Sequence, residues 1–262
     1  MPRVAFLGHS TIVIDLDGVR ILTDPILRPR VGPLVRLPDA VKAERWADVD
    51  AVLISHSHWD HLDYGSLKLL GLDIPIVART GMAGEFRRRG FRNITQVEEG
   101  EEYRVGEVSI EAVHAKHKGF GPPVGGTELC LGFIVHGSMH IYFAGDTAFF
   151  EGMAEFDIGL DVALMPVWGW GPTAKPSEHL DPTGAARATA VIKPRIAIPI
   201  HWGTLHPVGF RWMRPSTRID PPHQFAQLVR RMAPDVTVRV LPNGSSLVVP
   251  PASRRNIGRA SR

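Results

Sequence analysis

The chain contains the stretch Asp50-Ala51-Val52-Leu53-Ile54-Ser55-His56-Ser57-His58-Trp59-Asp60-His61, in which an apolar run leads directly into four potential metal ligands. Side chains on one face of a strand lie two residues apart, a spacing that His56 and His58 obey. Asp60 and His61 are adjacent, so the chain must turn there, and the four groups can converge from different directions. Imidazole nitrogen together with a carboxylate suits zinc and similar divalent metals. The stretch therefore predicts a buried strand that ends in a metal site, rather than a histidine-rich polar loop.

The composition is that of an ordinary globular protein. The chain has 262 residues, of which 44% are hydrophobic and 22% charged, and its formal net charge is +3. Its single cysteine, Cys130, lies in an apolar run and is interpreted as a small core residue. One cysteine forms no internal disulfide, which fits a reducing compartment. No apolar stretch is long enough for a signal peptide or a transmembrane helix, so we expect a cytoplasmic protein.

Short apolar runs separated by turn residues predict many strands. Asp17-Gly18 lies between two such runs and is a strong hairpin signal, so the chain is expected to open with antiparallel strands. Residues 25–45 contain several prolines and are expected to form a surface loop.

Farther along the chain, strands are expected to alternate with helices. Residues 182–192 form one predicted helix, with Asp181 as its cap and proline at its first position, and residues 222–232 form another. We therefore predict one mixed α/β domain over residues 1–252. The basic residues 253–262 show no apolar periodicity and are expected to be a disordered tail.

Three other apolar runs also lead into residues of ligand type. One run delivers Asp146, a second delivers His201, and a third runs into the segment that contains His114 and His117. Ligands at strand ends gather along one edge of a sheet, which is where α/β folds generally build their sites. A lone histidine at a strand end is more often structural, but the cluster at residues 56–61 favours ligation here.

These residues resemble the metallo-β-lactamase-fold hydrolases, whose hallmark is the pattern His-x-His-x-Asp-His followed by three more ligands in separate segments. Within this superfamily, the sequence resembles most the branch that includes N-acyl-phosphatidylethanolamine phospholipase D and the ascorbate-phosphate lactonases. The resemblance spans most of the chain and implies a four-layer αββα sandwich of two mixed β-sheets flanked by helices. The matching segments are Leu7-Gly8-His9-Ser10, Thr23-Asp24-Pro25, residues 55–64, Gly145-Asp146-Thr147 and residues 199–204.

The resemblance also implies the ligands of two divalent cations, which we expect to be zinc, with manganese or iron as alternatives. It assigns His56, His58 and His117 to the first cation, Asp60, His61 and His201 to the second, and Asp146 to a bridging position. The third histidine of the first site is open between His117 and His114. Strand alternation places His114 on the inward face of its strand, which suits a buried structural histidine and favours His117.

The chemistry that the resemblance implies is hydrolysis of an ester, lactone or phosphodiester by a metal-bridging hydroxide. Asp60 would orient that hydroxide as well as bind metal. His179 corresponds to a histidine beside the substrate and is expected to donate a proton to the leaving group, although a structural role near a helix cap is equally compatible.

Further residues are expected to support the site. Asp24 is interpreted as orienting a ligand, with His9 behind it, although a turn at Asp24-Pro25 would also explain the aspartate. Trp168 and Trp170 are expected to wall the substrate pocket or to pack their own loop.

The leading functional prediction is a hydrolase of a small, soluble, anionic substrate. A nuclease of the same fold is an alternative, but the low net charge argues against nucleic-acid binding. A catalytically silent metal-binding or regulatory protein is a second alternative, although loss of catalysis usually leaves gaps among the ligands. We expect no membrane insertion, and a homo-oligomer is possible.

Overall fold

The structure is a computed structural model, and it describes residues 1–37, 41–119, 128–168, 178–209 and 216–251. Trp170 and the predicted tail at residues 253–262 lie outside these ranges. The domain boundary at residue 252 accordingly stays a prediction.

The described residues form many short strands and few helices. The strands are β1 Arg3–Gly8, β2 Thr11–Leu16, β3 Val19–Thr23, β4 Arg30–Val31, β5 Leu34–Arg36, β6 Ala51–Ile54, β7 Ile76–Arg79, β8 Ile94–Val97, β9 Glu102–Val105, β10 Val108–Gly119, β11 Glu128–His136, β12 His140–Phe143, β13 Val162–Pro166, β14 Ile196–Ile200, β15 Leu205–Pro207, β16 Thr237–Val238 and β17 Ser245–Val248. The α-helices are α1 Tyr64–Leu70, α2 Ala83–Arg88, α3 Pro182–Ile192 and α4 Ser216–Met232, and 3-10 helices lie at Ala43–Arg45 and Glu151–Phe156.

Two seven-stranded mixed sheets dominate the fold. Sheet one has the order β17-β1-β2-β3-β6-β7-β8, and sheet two has the order β16-β14-β13-β12-β11-β10-β9. In sheet one, β3, β6, β7 and β8 are parallel, and β1 runs the same way because it is separated from β3 by the antiparallel β2. In sheet two, β12, β13 and β14 are parallel to one another.

Alternation along the strands of sheet one divides their side chains between two apolar layers. In β1, Phe6 packs in the core between the sheets, whereas Ala5 and Leu7 pack in the layer on the other face. In β6, Leu53 faces the inner core, and its neighbours Val52 and Ile54 face outward. This period of two is what strand geometry requires of a sheet that is covered on both faces.

Helices cover the two outer faces. Leu67 of α1 and Phe86 of α2 pack in the outer layer of sheet one. Helices α3 and α4 pack against each other and against β13 and β14 of sheet two. The result is a four-layer αββα sandwich, which confirms the predicted fold class.

Most of the predicted elements are present. The opening hairpins are confirmed, and Asp181 caps α3 by accepting a hydrogen bond from the amide of Gly184, with proline at the first turn. Helix α4 begins at Ser216, earlier than the expected residue 222, and contains Pro221 and Pro222.

The expectation of a plain surface loop at residues 25–45 is wrong in part. Strands β4 and β5 form a hairpin in this segment, and β5 pairs with β15 to complete a third, three-stranded sheet. Ile26, Val31 and Leu205 form a small apolar cluster beneath it, which explains why the segment folds back onto the body of the protein. The described part of the chain contains no helix long and apolar enough to cross a membrane.

Candidate metal centre

The residues of the centre follow strand ends that point the same way. In sheet one, His9 follows β1, Asp24 follows β3, and His56 lies just beyond β6. In sheet two, Asp146 lies just beyond β12, and His201 follows β14 directly. The amide of Leu131 in β11 donates to the carbonyl of Ser55 at 3.1 Å, which joins the two sheets at this edge. The centre therefore lies where the carboxyl ends of both sets of strands meet.

Three of these residues have a left-handed backbone, which is uncommon for residues other than glycine. The φ angles are 56° at His9, 35° at Asp24 and 59° at His201. Each residue reverses the chain direction directly after a strand. His9 and His201 project their side chains into the centre, and Asp24 directs its carboxyl group at His61. Strained conformations of this kind persist only where surrounding contacts hold them, and they cluster at functional sites.

The first group of potential ligands consists of His56, His58, His117 and Asp146. Nδ1 of His58 lies 2.9 Å from Nε2 of His56 and 3.4 Å from Nε2 of His117. His58 therefore presents Nδ1 to the centre, whereas the other two histidines present Nε2. One potential ligand atom from each residue lies within 4.8 Å of the others.

The second group consists of His9, Asp60, His61 and His201. Nε2 of His61 lies 3.6 Å from Oδ2 of Asp60, and Nε2 of His201 lies 3.4 Å from the same oxygen. Asp146 also reaches this group, at 3.4 Å from Nε2 of His61 and 3.2 Å from Nε2 of His201. Asp146 thus lies between the two groups.

Contacts on the outer side of the imidazoles fix their orientation. Nδ1 of His61 lies 2.7 Å from Oδ2 of Asp24, Nδ1 of His117 lies 2.7 Å from the carbonyl oxygen of Glu178, and Nδ1 of His201 lies 2.8 Å from the carbonyl oxygen of Trp168. Because carboxylates and carbonyls only accept, each Nδ1 carries a hydrogen and each Nε2 faces the centre. This arrangement is typical of metal-binding histidines.

Asp24 is itself held in place by Ser55, just before the histidine cluster. The Ser55 amide donates to Oδ1 of Asp24 at 2.8 Å, and the Ser55 hydroxyl donates to Oδ2 at 2.6 Å. The expected contact of Asp24 with a ligand is thus present in the structure, through His61. The turn interpretation also holds in part, since Asp24 ends β3 in a left-handed conformation.

Gly145 lets the chain bring Asp146 into the centre. Its φ angle is 59°, and a Cβ atom at this position would lie 2.9 Å from the carbonyl oxygen of Leu131 and 2.9 Å from Cβ of Ser55. A side chain here would push apart the contact between the two sheets, so the position requires glycine.

The electrostatics favour the metal-binding forms of most of these groups. Burial lowers the pKa of His58 to about 4 and that of His56 well below its usual value, so both are neutral near pH 7. Burial raises the pKa of Asp60 and of Asp146, but neighbouring histidines more than offset it, and the pKa of both acids lies well below its usual value. Both carboxylates are therefore ionised.

The acids of the centre favour the positively charged form of His61. Burial lowers its pKa, but Asp146 and Asp60 outweigh this effect and raise the pKa well above its usual value. Nε2 of His61 and both carboxylate oxygens of Asp146 are buried and form no hydrogen bond with the other described residues. A divalent cation satisfies such atoms by direct coordination, so the residues present fit a metal.

The structure brings His117 into the centre and leaves His114 outside it. The register of β10 against β11 shifts between Ala115 and Lys118, which pair with the adjacent residues Cys130 and Leu129. A bulge of this kind re-aims side chains, and His117, which lies within it, is buried at 5% exposure.

The expectation that His114 is buried is wrong. Its side chain is 42% exposed, and its Nδ1 lies 2.8 Å from Oε2 of Glu99. Strand β9 pairs with β10 only from Val108 to Glu111, so His114 lies beyond this pairing and beside the turn at Glu99.

Two other predicted residues lie at the centre. Nδ1 of His179 is 3.3 Å from Oδ2 of Asp146, and its ring centroid is 4.4 Å from that of His117. Burial lowers the pKa of His179, but Asp146 and Asp60 raise it above the usual value.

Trp168 is buried and contributes its backbone carbonyl to His201, so it has a supporting role that sequence reasoning did not foresee.

His9 lies elsewhere than expected. Its Nε2 is 2.9 Å from Oδ2 of Asp60, whereas the carboxylate of Asp24 contacts Ser55 and His61. The signal that could have placed His9 in the centre is the one that identified His201, namely a histidine directly after an apolar strand.

Comparisons with known proteins agree with this fold and show the family. A family profile described as the beta-lactamase superfamily domain matches residues 19–202. A UPF0173 metal-dependent hydrolase of Methanopyrus kandleri is 31% identical, over 93% of this chain and 98% of its own length. The chain therefore belongs to the metallo-β-lactamase superfamily.

Two further similarities bear on the branch and the fold. N-acyl-phosphatidylethanolamine-hydrolyzing phospholipase D 1 of Caenorhabditis elegans is 30% identical over 78% of this chain, which spans 64% of the length of that enzyme. The chain likewise spans 64% of the length of mycobacterial proteins that are 31% identical to it. The solved structure of Igni18, a metallo hydrolase of Ignicoccus hospitalis, superposes with a TM-score of 0.72 at 22% identity and covers 94% of this chain and 97% of its own.

Proposed function

We propose that this protein is a binuclear metal-dependent hydrolase that acts on a small anionic ester, either a phosphodiester or a lactone. The observation that carries the proposal is the pair of ligand groups at one sheet edge, with the carboxylate of Asp146 between them. Metal centres with two cations about 3.5 to 4 Å apart are typical of phosphoryl and acyl hydrolysis.

In this proposal every predicted ligand has a place. His56, His58 and His117 would hold the first cation, Asp60, His61 and His201 would hold the second, and Asp146 would contribute to both. Histidine nitrogen and carboxylate oxygen suit zinc, and manganese or iron is compatible with the same donors.

Two divalent cations, when bound, lower the pKa of a coordinated water and stabilise negative charge at the attacked centre. The residues of the chain orient the reacting groups. Asp60 offers an ionised carboxylate at the centre, which can accept a hydrogen bond from the attacking water and align it. Asp24 and the carbonyl oxygens of Glu178 and Trp168 hold His61, His117 and His201 in their binding orientation.

His179 is the residue that we propose donates a proton to the leaving group. Its Nδ1 faces Asp146, which leaves Nε2 as the nitrogen that can reach a leaving-group oxygen. The raised pKa of His179 keeps a larger fraction of the imidazole protonated near neutral pH. The role of a simple helix-cap histidine does not require the contact with Asp146.

The choice of substrate class draws on the relatives. The name of the nematode relative describes a phospholipase D, which cleaves a phosphodiester, and this supports a phosphodiester for the present chain. That the substrate is small and soluble and that the protein is cytoplasmic stay predictions from the sequence, and the oligomeric state stays open.

The test is hydrolysis of bis(4-nitrophenyl) phosphate and of a small lactone by protein reconstituted with two equivalents of zinc or manganese. We expect the metal-free protein to be inactive and Asp60→Asn to lose more than ~100-fold in kcat/KM, since even outer-sphere changes cost 10 to 100-fold. His114→Ala is the matched control, because this histidine lies on the same strand as His117 but outside the centre.

Full activity of Asp60→Asn would contradict the mechanism. A reconstituted wild-type protein that binds two cations but cleaves neither substrate would favour the silent metal-binding alternative. Tight and steeply salt-dependent RNA binding would instead favour the nuclease alternative.

A further inference from the structure

His9 is fully buried directly after β1, and its backbone forms two hydrogen bonds with the segment that follows β14. The amide of His9 donates to the hydroxyl of Thr204 at 2.7 Å, and the amide of His201 donates to the carbonyl oxygen of His9 at 2.8 Å. These bonds hold the left-handed conformation of His9 and set the direction of its side chain. The ring position is thus determined by both sheets.

The imidazole of His9 lies against the second ligand group. Its Nε2 is 2.9 Å from Oδ2 of Asp60, and its ring centroid is 3.8 Å from that of His201. Because an ionised carboxylate only accepts, Nε2–H of His9 donates this hydrogen bond.

His9 approaches Asp60 differently from the two histidines that we assign as ligands. Nε2 of His61 and Nε2 of His201 lie 3.4 to 3.6 Å from Oδ2 of Asp60, and 3.2 to 3.4 Å from the oxygens of Asp146. These separations leave room for a cation between the atoms. The 2.9 Å contact of His9 is instead a normal N–H···O hydrogen bond.

We propose that His9 is a positioning residue for the second cation site, acting through its hydrogen bond to Asp60. The donated bond fixes the rotation of the Asp60 carboxylate, and packing against His201 holds that imidazole in the same arrangement. His9 thereby couples the first strand of sheet one to the second half of the metal centre. The inference rests on the proposed function only in the assignment of Asp60 and His201 as ligands.

In the test, the metal-free protein is titrated with cobalt(II). Binding is measured by calorimetry and by the visible absorption of the bound ion. We expect wild type to bind two equivalents. His9→Ala should weaken the second equivalent by 10 to 100-fold and leave the first unchanged, a loss typical of residues that orient ligands. His9→Gln places an amide donor near the position of Nε2 and should recover most of the affinity with an unaltered spectrum.

His206→Ala is the matched control, since His206 is buried at 3% exposure on β15 but belongs to neither ligand group. The second equivalent of cobalt(II) should bind to His206→Ala as tightly as to wild type. Melting of each metal-free variant shows whether the loss is specific to the site.

Several results would overturn the inference. The first is an unchanged affinity of His9→Ala for the second equivalent. The second is an equal weakening of both equivalents in His9→Ala, together with a lower melting temperature of the metal-free variant. The third is failure of wild type to bind a second equivalent. Altered cobalt absorption bands in His9→Gln would show that His9 is a ligand instead. A wild-type protein that binds both equivalents but hydrolyses nothing would remove the proposed function and leave this inference intact.

Discussion

Sheet two carries histidines and acids at both of its ends, and the two clusters behave differently. At the carboxyl end of β12, Asp146 belongs to the metal centre. At the opposite end, the edge cluster of Glu111, His136 and His140 lies where β11 ends and β12 begins. The residue types are the same in the two places, so their chemistry is decided by their surroundings.

The edge cluster satisfies its own hydrogen-bonding groups. Nε2–H of His136 donates to Oε2 of Glu111 at 3.0 Å, and Nδ1 of His136 lies 3.0 Å from Nδ1 of His140. The side chains of His136 and Glu111 are 23% and 34% exposed, so water solvates them as well. The polar atoms of these side chains are therefore satisfied without a cation.

The metal centre is organised in the opposite way. Its outward-facing nitrogens are bonded to Asp24 and to backbone carbonyls, so the inward-facing atoms are directed at one another. Asp60, the most exposed of its carboxylates, is only 7% exposed, and Asp146 is 1% exposed. Burial makes like-charged and unsatisfied groups costly, and a cation removes that cost. Convergent direction and burial, more than ligand type, therefore distinguish the candidate metal centre from the edge cluster.

The largest effect is expected from His179→Gln, at the metal centre. Loss of a proton donor should lower kcat by ~100-fold with metal content unchanged, because general acid catalysis is worth about 10² to 10⁴. The loss should be greater for a phosphodiester with a poor leaving group than for one that releases 4-nitrophenolate. Equal losses for the two substrates would contradict proton donation, and His114→Gln serves as the control.

A smaller effect is expected from Asp24→Asn, which replaces the carboxyl group that orients His61 with an amide. We expect zinc affinity to fall by ~10-fold, the lower end of the range for residues behind a metal ligand, because the amide oxygen still accepts a hydrogen bond. Competition with a chromogenic chelator measures the change. Asp15→Asn, at a partly exposed ion pair with Arg3, is the control and should bind zinc as wild type does. Unchanged affinity in Asp24→Asn would mean that burial alone orients His61.

The smallest effect is expected from His136→Ala in the edge cluster. Surface changes of this kind usually alter the free energy of unfolding by less than ~0.5 kcal/mol, so thermal melting and zinc stoichiometry should match wild type. Loss of a metal equivalent in this variant would contradict the difference between the two clusters, since it would show that the edge cluster also binds metal.

Much of the centre could be read from the sequence because its signals are local. The strand before His56, the apolar run before Asp146 and the one before His201 are each visible as a short pattern, and strand ends in α/β folds share an edge. The resemblance added the fold class and the choice of His117. These predictions needed no knowledge of long-range contacts.

Other features depended on the packing of distant segments. The bulge in β10 that separates the roles of His114 and His117 arises from its pairing with β11, and no pattern in residues 108–119 indicates it. The contacts of His9 with Asp60 and Thr204 join residues 51 and 195 positions apart in sequence. Strand β9 and the β4–β5 hairpin are short and stabilised by pairing, which explains why their sequences carried little signal.

The donors, the strands that deliver them and the class of chemistry they suit can be read from the sequence, because residue type and strand periodicity are local properties. Which donors meet, which nitrogen each histidine presents and which acid each one faces depend on the folded chain. The reason is geometric: these relations follow from the register and direction of strands that are far apart in the chain. His9 shows this most directly, since its residue type suggested a supporting role, and the junction of the two sheets placed it on Asp60.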